Sequence, residues 1–229
     1  MISSKHHTIF VHIPKVAGQS IETIFLKDLG LDWNSREELL LRKKRNGEIG
    51  PHRLAHLTAS EYVSLGYIDQ ETFDDYFSFS FVRNPYNRLI SVYNYLGYSR
   101  IISFEAFVNK VVKGKLQASD FFYVSQYDYL YEGEKLLVDY VGKLENLKED
   151  MQFVLNKSGL EGHEIPHINK SEKGLKRGIA ALLKAPKLWS SFSPARLFSG
   201  KKKKDLTASE KELVYSLYQK DFEKFGYER

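Results

Sequence analysis

Ile9-Phe-Val-His-Ile-Pro-Lys-Val-Ala-Gly-Gln-Ser-Ile-Glu22 is the stretch whose reading decides the fold. It opens on an apolar run that predicts a buried strand over residues 8–13. Ile21, Ile24, Phe25 and Leu29 then recur at helical spacing and predict a helix over 20–29. Between the two lies a short loop holding Lys15 and Gly18. Strand, glycine loop and helix N-terminus in succession build an anion cradle, because loop N–H groups and the positive end of the helix dipole converge on one point. Lys15 adds a full charge at that point. The bland reading is a common strand–glycine loop–helix segment without a ligand, with His12 a packed strand residue.

Working outward, Tyr76-Phe-Ser-Phe-Ser-Phe-Val82 alternates phenylalanine with serine and reads as a second strand, its serines suited to close packing against another layer. The Phe77, Phe79 and Phe81 stripe reads as core. Arg83-Asn-Pro-Tyr-Asn-Arg88 follows, with Asn84 as N-cap and Pro85 at the first helical position, so a helix is expected to about Tyr95. Further helical patterns cover 104–112, 147–157 and 208–225, and a strand pattern covers 136–144. Thr58-Ala-Ser-Glu61 and Thr207-Ala-Ser-Glu210 are capping boxes. Residues 32–50 are polar and read as surface. Strands alternating with helices imply a parallel sheet covered on both faces. Ligands of such sheets sit beyond the carboxyl ends of the strands. The loops after Val11 and Val82 both lie at such ends.

Composition narrows the function classes. The 229 residues suit one domain and include no cysteine, which excludes disulfides, thiolate catalysis and cysteine–zinc sites. The first residues lack the apolar core of a signal peptide, and no segment reaches the roughly 20 apolar residues that span a bilayer. The expected location is the cytoplasm. The net charge of +5 is unevenly spread: residues 170–204 hold eleven Lys and Arg against one acid, Glu172, so the rest of the chain is net acidic.

The first loop departs from the G-x-x-x-x-G-K-[ST] phosphate loop: Gln19 stands where its lysine belongs, the first glycine is missing, and the lysine has moved forward to Lys15. No acidic residue at a strand end suits Mg²⁺. A metal-free anionic donor fits this pattern better than Mg²⁺–ATP.

The two motifs together resemble the sulfotransferases that use 3′-phosphoadenosine 5′-phosphosulfate, in their carbohydrate sulfotransferase branch, which includes bacterial and Golgi members. His12-Ile-Pro-Lys-Val-Ala-Gly-Gln-Ser20 is similar to that family's 5′-phosphosulfate loop, and Phe81-Val-Arg-Asn-Pro-Tyr-Asn-Arg-Leu-Ile-Ser-Val-Tyr93 to its 3′-phosphate motif. Gln126-Tyr-Asp-Tyr-Leu130, 138–147, His167-Ile-Asn-Lys-Ser171 and 218–227 resemble further landmarks, in family order. Val16-Ala17 and Gln19 depart from the more usual Thr-Gly and Thr.

The resemblance implies an α/β fold, a P-loop-like parallel sheet flanked by helices, in a single domain over 1–229; the local charge marks a basic, flexible insertion at about 172–205. It implies a sulfuryl donor held without metal by Lys15, Val16, Ala17, Gly18, Gln19, Ser20 and Ile21 at its 5′ side. Arg83 and Ser91 would hold its 3′-phosphate, Arg83 through paired hydrogen bonds. The acceptor would be a hydroxyl on a glycan or glycolipid. Such an acceptor needs a general base, for which histidine has a suitable pKa. The family's base commonly lies between the two phosphate motifs, which makes His56 the first candidate and His52 the second, with Glu22 and Glu61 behind them. The catalytic set is then His56, Lys15 and His52.

Two alternatives remain at this level. One is a P-loop-like kinase or other ATP-dependent transferase; the other is a nucleotide- or glycan-binding protein without catalysis. In the basic segment, Leu175, Ile179, Leu182 and Leu183 follow helical spacing among Lys176, Arg177 and Lys184, and Trp189, Phe192 and Phe198 follow Pro186. The bland reading is a solvated insertion. The sharper one is peripheral contact of 174–204 with an anionic membrane at its inner face, with binding of an acidic glycan acceptor or covering of the bound nucleotide as alternatives. No nucleic-acid motif accompanies the charge, and no nucleic-acid partner is expected.

Overall fold

The computed structural model describes residues 1–166, 174–199 and 203–229. The chain is a mixed α/β structure whose central sheet is mostly parallel and flanked by helices. It divides into two compact units, each built from two separated stretches: 1–83 with 125–168, and 84–124 with 169–229.

The first unit carries the sheet. Its strands are β1 (Ile2–Ser3), β2 (Thr8–Val11), β3 (Phe77–Val82) and β6 (Tyr140–Lys143), adjacent in that order. β1 pairs antiparallel with β2, while β2–β3 and β3–β6 are parallel, with Val11 opposite Ser80 and Val82 opposite Lys143. The loops after β2 and β3 therefore leave the sheet at the same end. The helix α1 (Gly18–Asp28) follows β2 and buries Ile21, Ile24 and Phe25; the Phe25 ring stacks on Phe79. A second helix, α8 (Leu147–Lys157), packs through Phe153 against Phe77 and Tyr140. Ser78 and Ser80 are buried, and the Ser80 hydroxyl donates to the Val11 carbonyl at 2.7 Å. A small hydroxyl with a backbone partner is what lets β3 be covered on both faces. Two short helices, α2 (Ala59–Ser64) and α3 (Gln70–Asp75), precede β3, and the predicted capping box of Thr58 and Glu61 opens α2.

The expected strand over 136–144 is two pieces. Lys135–Leu136 (β5) pairs with Tyr131–Glu132 (β4) around a turn in which Gly133 has positive φ. Only from Tyr140 does the chain join the sheet. Asp139 makes the change of direction: its carboxylate accepts from the Ser78 N–H and hydroxyl, both at 2.8 Å. Periodicity along the chain does not reveal such a partner 61 residues away.

The second unit is helical. α4 (Pro85–Tyr95) begins as expected at the Asn84 cap and Pro85, and α11 (Ala208–Phe225) at the second capping box. The pattern over 104–112 extends to Gln117, as α5 (Phe104–Phe107), a π turn (Val108–Val112) and α6 (Lys113–Gln117). The wider turn accompanies the burial of Phe107, Val108, Val111 and Val112. The ring of Tyr86 on α4 packs on Phe222 of α11, and the Tyr218 hydroxyl donates to the Tyr123 carbonyl at 2.8 Å. In the basic segment the described residues form α9 (Gly174–Lys184), a 3₁₀ stretch (Pro186–Ser191) and α10 (Pro194–Ser199).

Candidate functional site

The candidate anion loop is the 12–17 segment between β2 and α1. Its backbone is unusual: Lys15 and Ala17, neither a glycine, both lie in the left-handed region, at φ 77° and 67°. Such residues cost free energy and cluster at ligand sites, and alternation of hand along a loop turns successive N–H groups inward into an anion-binding concavity. No side chain caps α1, and its first turn holds no acid. The positive end of the helix is thus left for something outside the helix. Ser20 and Ile21 are less available than the sequence reading expects, because their N–H groups already bond to the Ala17 carbonyl at 2.9 and 3.4 Å. Val16 and Ile21 are buried apolar residues that seat the loop on the core. Lys15, Ala17 and Ser20 are partly exposed, and Gln19 is exposed.

Gly18 has a steric reason to be glycine. A Cβ there would lie 1.9 Å from Nε2 of His12. His12 is held against the loop by Glu22, whose carboxylate accepts from Nδ1 at 2.6 Å, and by the Phe10 ring stacked behind it. Both His12 and Glu22 are buried. Glu22, a reserve candidate for the base, is thereby committed to His12. Glu61 is committed to the α2 capping box.

His56 sits beside this pair. Its Nδ1 lies 2.9 Å from the His12 carbonyl, and the two rings are 4.6 Å apart, edge to face. A carbonyl can only accept, so Nδ1 carries the proton and Nε2 is the basic nitrogen of the neutral ring. Burial, reinforced by the neighbouring His12, pushes the His56 pKa well below its ordinary 6.5. That favours the neutral ring, the form a general base requires. His52 is exposed, and its carbonyl accepts from the Lys44 N–H. The structure ties His56 to the anion loop and gives His52 no such tie.

Arg83 directly follows β3. Its Nη1 lies 3.4 Å from the Lys15 carbonyl, so the two motifs meet at the same end of the sheet. Sequence reasoning did not assign what fixes it there. Gln126, fully buried, accepts from the Arg83 N–H and donates to the Arg83 carbonyl, both at 2.8 Å. Gln126 opens α7 (Gln126–Leu130), which Ser125 caps by accepting from the Asp128 N–H. The Gln126-Tyr-Asp-Tyr-Leu130 landmark was visible, but its role is a contact across 43 residues. Ser91 lies on α4 in the second unit, half-buried. The His167–Ser171 landmark falls outside the described residues. A surface pocket of about 470 Å³ between α1 and residues 161–166 includes none of the candidates.

The sequence matches the model of the sulfotransferase family over residues 1–228. The chain belongs to the sulfotransferase family. A protein of Archaeoglobus fulgidus described as uncharacterized is 35% identical to this sulfotransferase over 98 residues, which cover 41% of this chain and 76% of that protein. Membership makes the chain an enzyme that transfers sulfuryl groups. No helix among the described residues of this sulfotransferase is long and apolar enough to cross a membrane.

Proposed function

We propose that this sulfotransferase moves a sulfuryl group from 3′-phosphoadenosine 5′-phosphosulfate to a carbohydrate hydroxyl, with His56 as general base. The observation that carries the donor assignment is the approach of Arg83 to the Lys15 carbonyl. A guanidinium beside the candidate anion loop suits a donor with phosphate groups at two positions. Loop N–H groups, the uncapped end of α1 and Lys15 would bind the 5′ side. Arg83 would bind the 3′-phosphate in a bidentate manner. Ser91, eight residues on, is assigned to the same phosphate by spacing and resemblance.

In the transfer, the bond from sulfur to the 5′-phosphate oxygen breaks and a bond from sulfur to the acceptor oxygen forms. The acceptor proton passes to Nε2 of His56. Charge grows on the departing phosphate, and Lys15 with the loop N–H groups would stabilise it. The carbohydrate acceptor rests on the resemblance to that branch.

Calorimetry tests the reading. Expected is metal-free binding of 3′-phosphoadenosine 5′-phosphate that weakens about 100-fold in Arg83→Ala, the scale of losing a paired charged hydrogen bond of about 2–3 kcal/mol. Adenosine 5′-phosphate should bind more weakly than the bisphosphate. A preference for Mg²⁺–ATP would refute the donor assignment.

A further inference from the structure

The helices of the basic segment have an inner and an outer set of residues. On the inner side, Gly178 packs so closely on Gly97 that a Cβ would lie 2.4 Å from the Gly97 carbonyl oxygen. Leu182 and Leu188 are buried beside it. Arg177 stacks 4.0 Å over the Tyr95 ring and donates to the Tyr95 carbonyl at 3.0 Å, and the Ser193 N–H donates to the Ile101 carbonyl at 2.9 Å. These contacts seat the segment on the remainder of the second unit.

The outer set is surplus to that seating. Leu175, Ile179 and Leu183, at i, i+4 and i+8 of α9, are exposed, Leu183 by 68%. Trp189 and Phe198 are exposed by 57% and 87%. These five make up most of the nine large apolar side chains exposed among the described residues. The same stretch, 174–199, carries five basic residues (Lys176, Arg177, Lys184, Lys187 and Arg196) and no acid. An anionic polymer calls for the charge alone. Leucine, tryptophan and phenylalanine left in water beside lysine fit an interface that is anionic outside and apolar beneath. We propose that residues 174–199 form a peripheral docking surface for a membrane rich in anionic lipid. Lys176, Lys184 and Lys187 would meet the headgroups, and Leu183, Trp189 and Phe198 the acyl boundary. This inference does not depend on which nucleotide the enzyme uses.

The test is cosedimentation of the full chain with vesicles of phosphatidylcholine alone or mixed with phosphatidylglycerol. Binding is expected only to the anionic vesicles. Leu183→Ser/Trp189→Ser/Phe198→Ser should bind at least about tenfold more weakly, since each removes apolar area from the contact. An unchanged melting temperature reports that the triple variant is folded, and calorimetry of 3′-phosphoadenosine 5′-phosphate with the unaltered chain separates failure here from failure of the donor assignment. A second reading uses Trp33→Phe, which leaves Trp189 the sole tryptophan. Its emission should shift to the blue with anionic vesicles and be quenched by brominated acyl chains. Absence of vesicle binding, binding unchanged in the triple variant, an unmoved Trp189 spectrum, or retention of duplex nucleic acid in its place would overturn the proposal.

Discussion

Gln126→Ala tests how the arginine of the second motif is held. The side chain is fully buried and makes two hydrogen bonds of 2.8 Å to one residue, the N–H and the carbonyl of Arg83. Truncation leaves both backbone groups short of a partner, at about 1–3 kcal/mol each when water is excluded. Arg83 is only half-buried, so water restores part of this, and the lower end, about 2–3 kcal/mol in total, is expected. At about 2–4 °C per kcal/mol for a chain of this size, the melting temperature should fall by about 5–10 °C. The guanidinium also loses its fixed approach to the Lys15 carbonyl. Affinity for 3′-phosphoadenosine 5′-phosphate should therefore drop by about tenfold, less than in Arg83→Ala, which removes the charge itself. Scanning calorimetry and titration calorimetry on one preparation read both effects. A loss below about 1 kcal/mol with unchanged nucleotide affinity would show that Gln126 is a spectator.

Further outcomes follow from the same geometry. The folded chain holds His56 below its ordinary 6.5, so below pH 6.5 the unfolded chain takes up a proton that the folded one refuses. Stability should fall as pH drops from 6.5 towards the lower folded value, and less steeply in His56→Asn; the acid limb of kcat/KM should lie below 6.5. His56→Ala should lower kcat by about 10²–10⁴-fold in a sulfuryl-transfer assay while nucleotide binding persists. Gly18→Ala drives a methyl into His12, which Glu22 and Phe10 hold in place; about 1–3 kcal/mol of destabilisation and weaker nucleotide binding are expected. Gly97→Ala combines φ 84° with a Cβ 1.9 Å from the Gly174 carbonyl oxygen, and should cost at least about 2 kcal/mol and expose α9 to limited proteolysis.

Much of this chain was legible because local chemistry dictates it. Alternating phenylalanine and serine made β3, Asn84-Pro85 opened α4, and two capping boxes opened α2 and α11. Each signal lies within a few residues of its effect. The strand–loop–helix pattern made Lys15 a site candidate and the resemblance added Arg83, and the parallel strands explain why the residues following β2 and β3 leave the sheet together. The strand expected over 136–144 breaks at Asp139, whose carboxylate bonds to Ser78, a partner beyond the reach of any periodicity.

The sequence by itself determined the order of elements, the glycine–lysine loop and the family-like spacing of its motifs, since propensity, capping and hydrophobic period act between near neighbours. Only the tertiary structure decided which groups are committed and which are poised. It paired Glu22 with His12, bound His56 to the end of β2 while leaving His52 outside, and clamped Arg83 with Gln126. It also showed that the apolar residues of α9 divide into a seated set and an exposed set. Burial and hydrogen bonding between distant residues set the protonation, orientation and exposure of a side chain, and those partners exist only once the chain has folded.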